Sequence, residues 1–305
     1  MTMRLWTVPV LVGLLVASAC GIGFAIPSLG GPTGIVTTPD AQVATSGTVD
    51  AALSYQKMRT TQLVETATFY GGTPLFSEQT HDATAWSIQA VTGISDNVEL
   101  WGDYHSVRDL EDSHIWGLGG KIQLSKEPER PVSLACGLGY RQWADHFVQS
   151  LALTGGFYGA LPATTLVSAF DEFKIWNAYF VVSKDLTMEQ SEKPRWGLGG
   201  DNHLLANAGL MYIRLDGGAA GDDSLLRPFL SAEIVGGATE AAVEYRFSGG
   251  SIDERGVFSA LLRQKLSSDV SLEVGTTNAD PVGIGLGEQN IFWRIGYEIP
   301  AETLY

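Results

Sequence analysis

The feature that most constrains this chain is a two-residue alternation of large apolar and polar or small side chains, which returns in segment after segment. From Asn290 to Ile299 the sequence reads NIFWRIGYEI, with a large aliphatic or aromatic residue at Ile291 and at every second position after it. Successive side chains on a strand point to opposite faces, so this period predicts a β-strand with one apolar face. The pattern is cleanest at 116–124 and 132–140. The sequence therefore predicts an all-β protein.

The spacing of these segments predicts an antiparallel up-and-down transmembrane β-barrel of about twelve strands. Each segment is close to the ~9–11 residues that a tilted strand needs to cross a bilayer. Short turns at one end and long loops at the other are typical of such barrels. The connection at 184–203 is long on the short-turn side, so a missed strand pair and fourteen strands stay an alternative. The short turns are at 95–97, 126–131, 236–238 and 267–269, and the longer segments at 58–83, 106–113, 144–172, 216–226, 249–256 and 279–289.

The first 25 residues have the pattern of a secretory signal peptide. One Arg precedes an uncharged run from Leu5 to Ala19, and small residues follow. Cleavage after Ala19 or after Ala25 is expected rather than retention as an anchor helix, because the apolar run is short for a span. A lipid-modified Cys20 stays an alternative. We divide the chain into the signal peptide (1–25), an N-terminal periplasmic or lumenal segment (26–46) and the barrel (47–305).

Composition excludes some partners and supports a location. The formal net charge is −15 and no basic run occurs, which argues against nucleic acid as a partner. No segment after residue 30 has the roughly 18 continuous apolar residues of a membrane helix. Export, strand length and loop asymmetry together predict the outer membrane of a Gram-negative bacterium. An exported soluble all-β binding protein, with its apolar face inside, stays an alternative.

A membrane barrel turns its apolar face to lipid and its polar face to the lumen. The residues expected to face lipid in the last strand are Ile291, Trp293, Ile295, Tyr297 and Ile299. The lumen could be an open pore whose charges tune selectivity, with cation preference expected from the acidic excess, or it could be closed by ion pairs. The charged residues expected to line it are Asp50, Glu99, Asp103, Lys121, Arg141, Glu233, Glu244, Arg246, Arg263, Glu273, Arg294 and Glu298.

The segment GGPTGIVTTPDAQVATSGTVDAALSY, from Gly30 to Tyr55, resembles the opening of YjbH-like outer-membrane proteins associated with exopolysaccharide production. The resemblance implies an outer-membrane barrel, and a role in exopolysaccharide export is its further implication. Glycines there suit tight backbone near a barrel mouth or interior, and proline marks a position outside the strand ladder. The residues that carry the motif are Gly31, Gly34, Thr38, Pro39 and Ala41.

The function predicted from these features is a porin-like or export-associated channel for ions, small solutes or polysaccharide. A structural barrel with a plugged lumen and an outer-membrane barrel hydrolase stay alternatives. The histidines show no metal-ligand spacing and no Gly-x-Ser-x-Gly is present, so neither a metal nor a cofactor is predicted. Outer-membrane lipid and the barrel-assembly machinery are the other expected partners. The only catalytic candidates are His105 and His114 with Asp109, Glu111 and Asp112.

Overall fold

The chain forms a closed antiparallel β-barrel of twelve strands, which confirms the predicted fold class. The computed structural model describes residues 27–29, 31–68, 74–108, 113–144, 172–187, 202–216, 222–248, 256–279 and 285–299. No further strand pair occurs within these ranges, and positions 188–201 lie outside them. The strands are β1 (Val49–Thr68), β2 (Pro74–Ser95), β3 (Val98–Arg108), β4 (Ser113–Ser125), β5 (Ser133–Ala144), β6 (Glu172–Asp185), β7 (Asn202–Asp216), β8 (Asp222–Gly236), β9 (Thr239–Arg246), β10 (Val257–Lys265), β11 (Val270–Ala279) and β12 (Gly285–Ile299).

The barrel closes where the first strand pairs with the last. The register runs from Val49 opposite Ile299 to Lys57 opposite Ile291, and β1 pairs with β2 on its other side. Each remaining strand pairs with its sequence neighbours, so every connection joins adjacent antiparallel strands. Over this register, closure leaves neither β1 nor β12 with an open edge, the arrangement that satisfies backbone hydrogen bonding without water.

The first hairpin is longer than its sequence predicts. Residues 58–83 were expected to be mostly loop, but β1 and β2 stay paired as far as Thr68 opposite Pro74. Beyond Lys57 the structure pairs β1 only with β2, because the β12 register ends there. Alternation signals a strand only where one face packs and the other does not. A two-stranded ribbon that leaves the barrel wall lacks that signal.

The wall carries its apolar side chains on the outside. Along β3 the burial alternates at every residue, with Glu99, Asp103 and His105 buried and Leu100 and Tyr104 exposed. A soluble barrel would show the reverse. In β12 Ile291, Ile295 and Tyr297 are exposed on the outer face, while Trp293 and Ile299 are half-buried on that same face. Within the described residues no helix is long and apolar enough to span a membrane.

Aromatic rings on the outer face form clusters across strand boundaries. Tyr55 lies opposite both Trp86 and Trp293, with ring centroids 4.7 and 5.8 Å away. A second cluster joins Tyr140 to its partner Trp176 at 4.5 Å and to Trp116 at 5.5 Å. Direct cross-strand aromatic pairs each contribute up to about 1 kcal/mol. They stabilise the pairing of the strands that they join.

Glycines on the inner face make room for large rings from neighbouring strands. A Cβ added to Gly139 would lie 2.5 Å from the Trp101 ring and 2.3 Å from the Asn177 side chain, and one at Gly119 would lie 2.4 Å from that ring. Gly137 lies under Tyr179 in the same way. These glycines explain how Trp101, which interrupts the polar face of its strand in the sequence, fits inside the barrel at 4% exposure.

We expect Gly139→Ala to destabilise the barrel by about 1–3 kcal/mol, because the added methyl group overpacks the inner face. Gly102→Ala is the matched control, since the nearest atom to its Cβ is 3.6 Å away. Urea titration of the refolded protein, followed by heat-modifiable mobility on a detergent gel, measures the difference. Equal midpoints for the two variants would contradict the packing described here.

Candidate functional site

The structure buries eleven of the twelve charged residues that were predicted to line the lumen. Glu298 faces the same way as Arg294 but is half-buried, opposite Asp50 at the end of the barrel with the short connections. The buried residues, all exposed by 7% or less, are Asp50, Glu99, Asp103, Lys121, Arg141, Glu233, Glu244, Arg246, Arg263, Glu273 and Arg294.

Sequence reasoning missed several inward-facing charged or titratable residues. Arg227 is fully buried and Asp185 is 4% exposed, yet each lies at or beyond the end of its predicted strand, where alternation cannot be counted. His105 was expected at the end of its strand, beside an external loop, and was considered as a catalytic candidate and not as a lumen residue, but β3 continues through it to Arg108. Glu240 was missed because Gly237 and Thr239 are not large apolar residues, so the alternation is not visible at the start of β9. Cross-strand register would have found Arg227, because it lies opposite Met211 and both side chains are buried.

Residues 27–29 and 31–48 lie inside the barrel, and we call these residues the plug. Two isolated antiparallel bridges, Pro27 with Thr33 and Gly34 with Pro39, fold it on itself. At its far end the Gly47 N–H donates to the Gly93 carbonyl at 2.9 Å before β1 begins. Its most buried residues, each at most 3% exposed, are Ser28, Leu29, Thr33, Ile35, Val36, Thr37, Thr38 and Ala41, with Ala44.

An apolar contact holds one side of the plug to the wall. Leu29, Ile35 and Val36 form a buried cluster with Ala242, Leu261 and Phe292 on β9, β10 and β12. Ile35 and Val36 are 1% and 0% exposed, so the wall covers them almost completely. Burying side chains of this size contributes about 1.5–3 kcal/mol each. This cluster gives the plug a small core of its own.

The Glu244 carboxylate binds the turn of the plug at residues 36–38. The backbone N–H groups of Val36, Thr37 and Thr38 donate to it at 3.1, 2.9 and 3.1 Å. The hydroxyls of both threonines donate to it as well, that of Thr38 at 2.8 Å. Successive N–H groups that converge on one carboxylate form an anion-binding nest. Glu244 is 2% exposed, so these bonds replace the water it would otherwise bind.

A second carboxylate, Glu99, holds the plug from the opposite wall. It accepts from the Thr33 N–H at 3.0 Å, from the Thr33 hydroxyl at 2.9 Å and from the Ala44 N–H at 2.9 Å. The Lys121 ammonium lies 3.2 Å from the same carboxylate and donates to the Thr33 carbonyl at 3.1 Å. Glu99 is on β3 and Glu244 on β9, six places apart in a ring of twelve strands. The plug therefore spans the lumen between the two carboxylates.

An ion-pair chain completes the attachment. Arg263 pairs with Glu240 at 2.6 Å and with Glu273 at 2.8 Å. Glu273 also accepts from the Arg294 Nε at 2.8 Å, and Arg294 donates to the carbonyls of Pro27 and Ile35 in the plug. Buried charges are costly unless paired and hydrogen-bonded. Each charge in this series has an oppositely charged partner, and Arg294 also donates hydrogen bonds to the plug backbone.

Little space is left between the plug and the wall beside Arg141 and Arg246. The void there is bounded by Pro32, Thr37 and Pro39 of the plug and has room for about one or two water molecules. The wall on the other side is formed by Arg141, Ile175, Asn177, Tyr179, Met211, Ile213 and Arg246. Beside these residues the plug therefore packs closely against the wall.

The candidate catalytic histidines do not come together. His105 is buried inside the barrel with its Nε2 3.7 Å from Asp103, whereas His114 is on the outer face, stacked on Tyr104. Successive residues along a strand point to opposite faces of the sheet. The barrel wall therefore separates the His105 ring from the His114 ring. Asp109, Glu111 and Asp112 lie outside the described residues. In the described part of the chain no group of three His, Cys, Asp or Glu side chains could hold a metal.

The five motif residues all lie in the plug, and each makes a close packing contact, a backbone bridge or a hydrogen bond there. Gly31 has φ of 97° and contacts the Trp101 ring so closely that a Cβ would lie 2.3 Å from it. Gly34 packs equally closely on the Thr38 carbonyl, with Pro39 paired opposite it. Thr38 binds Glu244, and the Ala41 N–H donates to the Ser183 hydroxyl at 2.9 Å.

Comparison with known proteins finds similar barrels but no family. No protein-family profile matches the chain, and no curated protein matches it. Solved structures with a similar barrel include the KdgM porin, with 8% identity over 81% of this chain and 98% of that one and a TM-score of 0.48. An outer-membrane channel from Pseudomonas putida F1 has 11% identity over 87% of this chain and 100% of that one, with a TM-score of 0.47.

A third similar structure is the translocator domain of the autotransporter NalP from Neisseria meningitidis. It has 11% identity over 83% of this chain and 88% of that one, with a TM-score of 0.46. Similarities at this level assign neither a family nor an activity. The fold of this chain rests on its own strand pairing.

We expect Glu244→Gln to loosen the plug, because the amide loses the negative charge and turns an NH₂ donor toward the N–H groups of residues 36–38. Losing charge-assisted hydrogen bonds of this kind costs about 3 kcal/mol. Amides 36–38 should then exchange with deuterium roughly a hundredfold faster than in the wild-type protein. Glu233→Gln is the control, since Glu233 is buried and bonds Asn207 on the wall. Equal exchange in both variants would contradict this role of Glu244.

Proposed function

We propose that this chain is an outer-membrane β-barrel channel whose lumen is closed by its own N-terminal plug and opens when the plug is displaced. The observation that carries the proposal is the polar attachment of the plug. Hydrogen bonds between the plug and Glu99, Glu244 and Arg294 hold it, together with one small apolar cluster. Such contacts can break and reform without unfolding the wall, which has its own backbone pairing.

The outer face supports the membrane location. Large apolar side chains such as Leu138, Ile88 and Leu118 are more than half exposed, and soluble proteins rarely show apolar surface on this scale. The clusters around Tyr55 and Tyr140 are typical of the aromatic girdle at a membrane interface. The lipid-facing residues of β12 are then Ile291, Trp293, Ile295, Tyr297 and Ile299, with Arg294 and Glu298 on the lumen side.

The polarity of the wall behind the plug supports a channel over a purely structural barrel. When the plug leaves, the newly exposed groups include Glu99, Lys121, Glu244 and Arg294, which water solvates well. An apolar inner wall would make the open state costly. Ions and small solutes are the expected cargo of a lumen with charges of both signs.

Polysaccharide is a second candidate cargo. The residues that resemble YjbH-like proteins are the ones that build the plug, from Gly31 to Ala41, so the resemblance extends to the part that closes the lumen. Swelling of liposomes that contain the protein, in isotonic neutral oligosaccharides of increasing length, tests this cargo. Swelling limited to monosaccharides would exclude it.

We expect Glu99→Gln combined with Glu244→Gln to raise the open probability in planar bilayers well above that of the wild-type protein, because both carboxylates that hold the plug lose their charge. Glu233→Gln is the control for a buried carboxylate that bonds Asn207 on the wall. Both variants must first show the heat-modifiable mobility of a closed barrel in the outer-membrane fraction. A folded double variant that conducts no more than wild type would favour the plugged structural barrel.

We expect Ile295→Arg to destabilise the barrel in lipid vesicles by about 2–4 kcal/mol, since a charge in the middle of the bilayer must leave water. Ile94→Arg, beside the short turn at 96–97, should cost only about 0–1 kcal/mol because it lies near the interface. Both isoleucines are exposed on the outer face, at 42% and 58%. Urea unfolding from vesicles measures the two costs, and a negligible effect at Ile295 would contradict a lipid-facing surface.

A further inference from the structure

The inner face of β3 to β6 carries two aromatic side chains that lie on glycines. One row across these strands is formed by Trp101, Gly119, Gly139 and Asn177, each opposite the next. The indole of Trp101 extends across both glycines and reaches the Asn177 amide, since a Cβ at Gly139 would lie 2.5 Å from the ring and 2.3 Å from the Asn177 Oδ1. Tyr179 lies one inward position closer to the short connections. We call Trp101, Asn177 and Tyr179 the aromatic platform.

Three polar atoms of the aromatic platform have no hydrogen-bond partner among the described residues. They are the Trp101 Nε1, the Asn177 Oδ1 and the Tyr179 hydroxyl. Trp101 and Tyr179 are only 4% and 5% exposed, and buried polar groups are nearly always hydrogen-bonded. A phenylalanine at position 179 would pack on the same glycine without leaving a buried hydroxyl. Packing alone therefore does not account for the polar atoms of the platform.

The charged groups beside the aromatic platform already have partners. Arg141 donates to Asp103 at 2.6 Å, and its guanidinium carbon lies 5.0 Å from the centroid of the Trp101 ring. Lys121 lies 3.2 Å from Glu99. The platform itself offers one N–H donor, one amide oxygen that accepts, and one hydroxyl that does both. This set matches neutral hydroxyl groups, which both donate and accept, better than it matches a carboxylate or a phosphate, which only accept.

The aromatic rings add a surface that suits a sugar ring. The face of an aromatic ring is negative, so it attracts C–H hydrogens, which carry a partial positive charge. A pyranose presents such hydrogens on its ring face and hydroxyl groups around its edge. Ligand sites commonly combine aromatic surface with a few convergent polar groups, which is the composition of the platform.

The plug covers the aromatic platform in this structure. Gly31 contacts the Trp101 ring so closely that a Cβ would lie 2.3 Å from it. Asn177 and Tyr179 line the void between plug and wall, on the side opposite Pro32. Glycine and proline have no polar side chain that could bond the three platform atoms. A sugar on the platform would occupy the same surface as these plug residues, so its binding favours the conformation in which the plug is displaced.

We propose that the aromatic platform is a binding subsite for one pyranose ring of a neutral sugar, and that sugar bound there promotes displacement of the plug. The coupling to opening rests on the proposed function, while binding itself can be measured without conductance. The apparent dissociation constant is the intrinsic one divided by the fraction of molecules with the platform uncovered. Wild-type protein therefore binds the sugar weakly, and a loosened plug raises the affinity.

Calorimetric titration of the folded full-length protein tests the subsite, in a detergent without a sugar headgroup. The probes are the methyl glycosides of glucose, galactose and mannose. Sorbitol, which has hydroxyls but no ring, and glucuronate, which adds a carboxylate, are the comparison solutes. We expect saturable binding of at least one glycoside, at least about tenfold tighter than that of sorbitol. Glucuronate binding tighter than every neutral glycoside would overturn the assignment to neutral sugars.

The Glu244→Gln variant tests the competition between sugar and plug. Glu244 is on β9, away from the platform strands, and its substitution should tighten glycoside binding at least about tenfold because more molecules have the platform uncovered. Saturating glycoside should in turn speed deuterium exchange of amides 36–38 in the wild-type protein, whereas sorbitol should not. Equal glycoside affinity of wild type and the folded variant, together with unchanged exchange, would overturn the coupling to the plug.

Substitutions in the aromatic platform test the residues themselves, in the Glu244→Gln background. Trp101→Leu with Tyr179→Phe should weaken glycoside binding at least about tenfold, since one ring face and two polar atoms are lost. Tyr179→Phe alone keeps the ring and should weaken binding about fivefold. Trp176→Leu is the matched control, because Trp176 is on the outer face of β6 at 51% exposure and its loss should leave binding unchanged.

Two results separate the subsite from the channel. Absence of saturable glycoside binding to both wild type and the folded Glu244→Gln variant would overturn the subsite, as would equal binding by the folded Trp101→Leu/Tyr179→Phe variant. Heat-modifiable mobility shows in each case that the barrel has folded. Glycoside binding without conductance under any condition would instead overturn the channel and leave the subsite standing.

Discussion

The contact on which the interior depends is the bond between the buried Glu244 carboxylate and the turn of the plug. A carboxylate at 2% exposure has lost nearly all its water, and three N–H groups with two hydroxyls replace that water. Those N–H groups belong to a turn with few other backbone partners. The carboxylate therefore gives the turn its hydrogen-bond acceptor, and the turn gives the buried carboxylate its donors. Glu99 does the same for Thr33 and Ala44 on the opposite wall. The plug is thus held at two places by the groups that would be most costly to bury alone.

The wall and the plug are stabilised by different interactions. Backbone pairing closes the wall between β1 and β12, and the fit of Trp101 and Tyr179 over glycines consolidates it from inside. The plug adds no strand to this ring. The wall binds it through wall side chains, apart from backbone contacts such as that between Gly47 and Gly93. This division explains how the plug could leave the lumen while the barrel stays folded. It also explains why substitutions of Glu99 and Glu244 should weaken the attachment of the plug.

The inward-facing charges lie at more than one level along the barrel. Lys121, Arg263 and Arg294 neutralise carboxylates near the short connections, where plug and wall meet. Arg141 and Arg246 lie farther along the strands, beside the void next to the plug. A count of charged residues in the sequence does not separate these levels. Alternation predicts which face of the sheet a side chain is on, but not how far along the barrel it lies relative to residues on other strands.

Alternation by itself predicted most of the strands and the opposition of Ile295 to Arg294 on β12, because a period of two follows from strand geometry alone. It left the choice between twelve and fourteen strands open. It also placed eleven of the twelve lumen candidates on the buried face. Tertiary structure alone decided which face is outside, since the same period serves a soluble core or a membrane wall. It alone brought Thr37 to Glu244, because a Gly-, Thr- and Pro-rich segment has no periodic signature and its partner is 207 residues away. Ring closure sets β3 opposite β9, and only that closure makes the lumen narrow enough for one short segment to bind both walls.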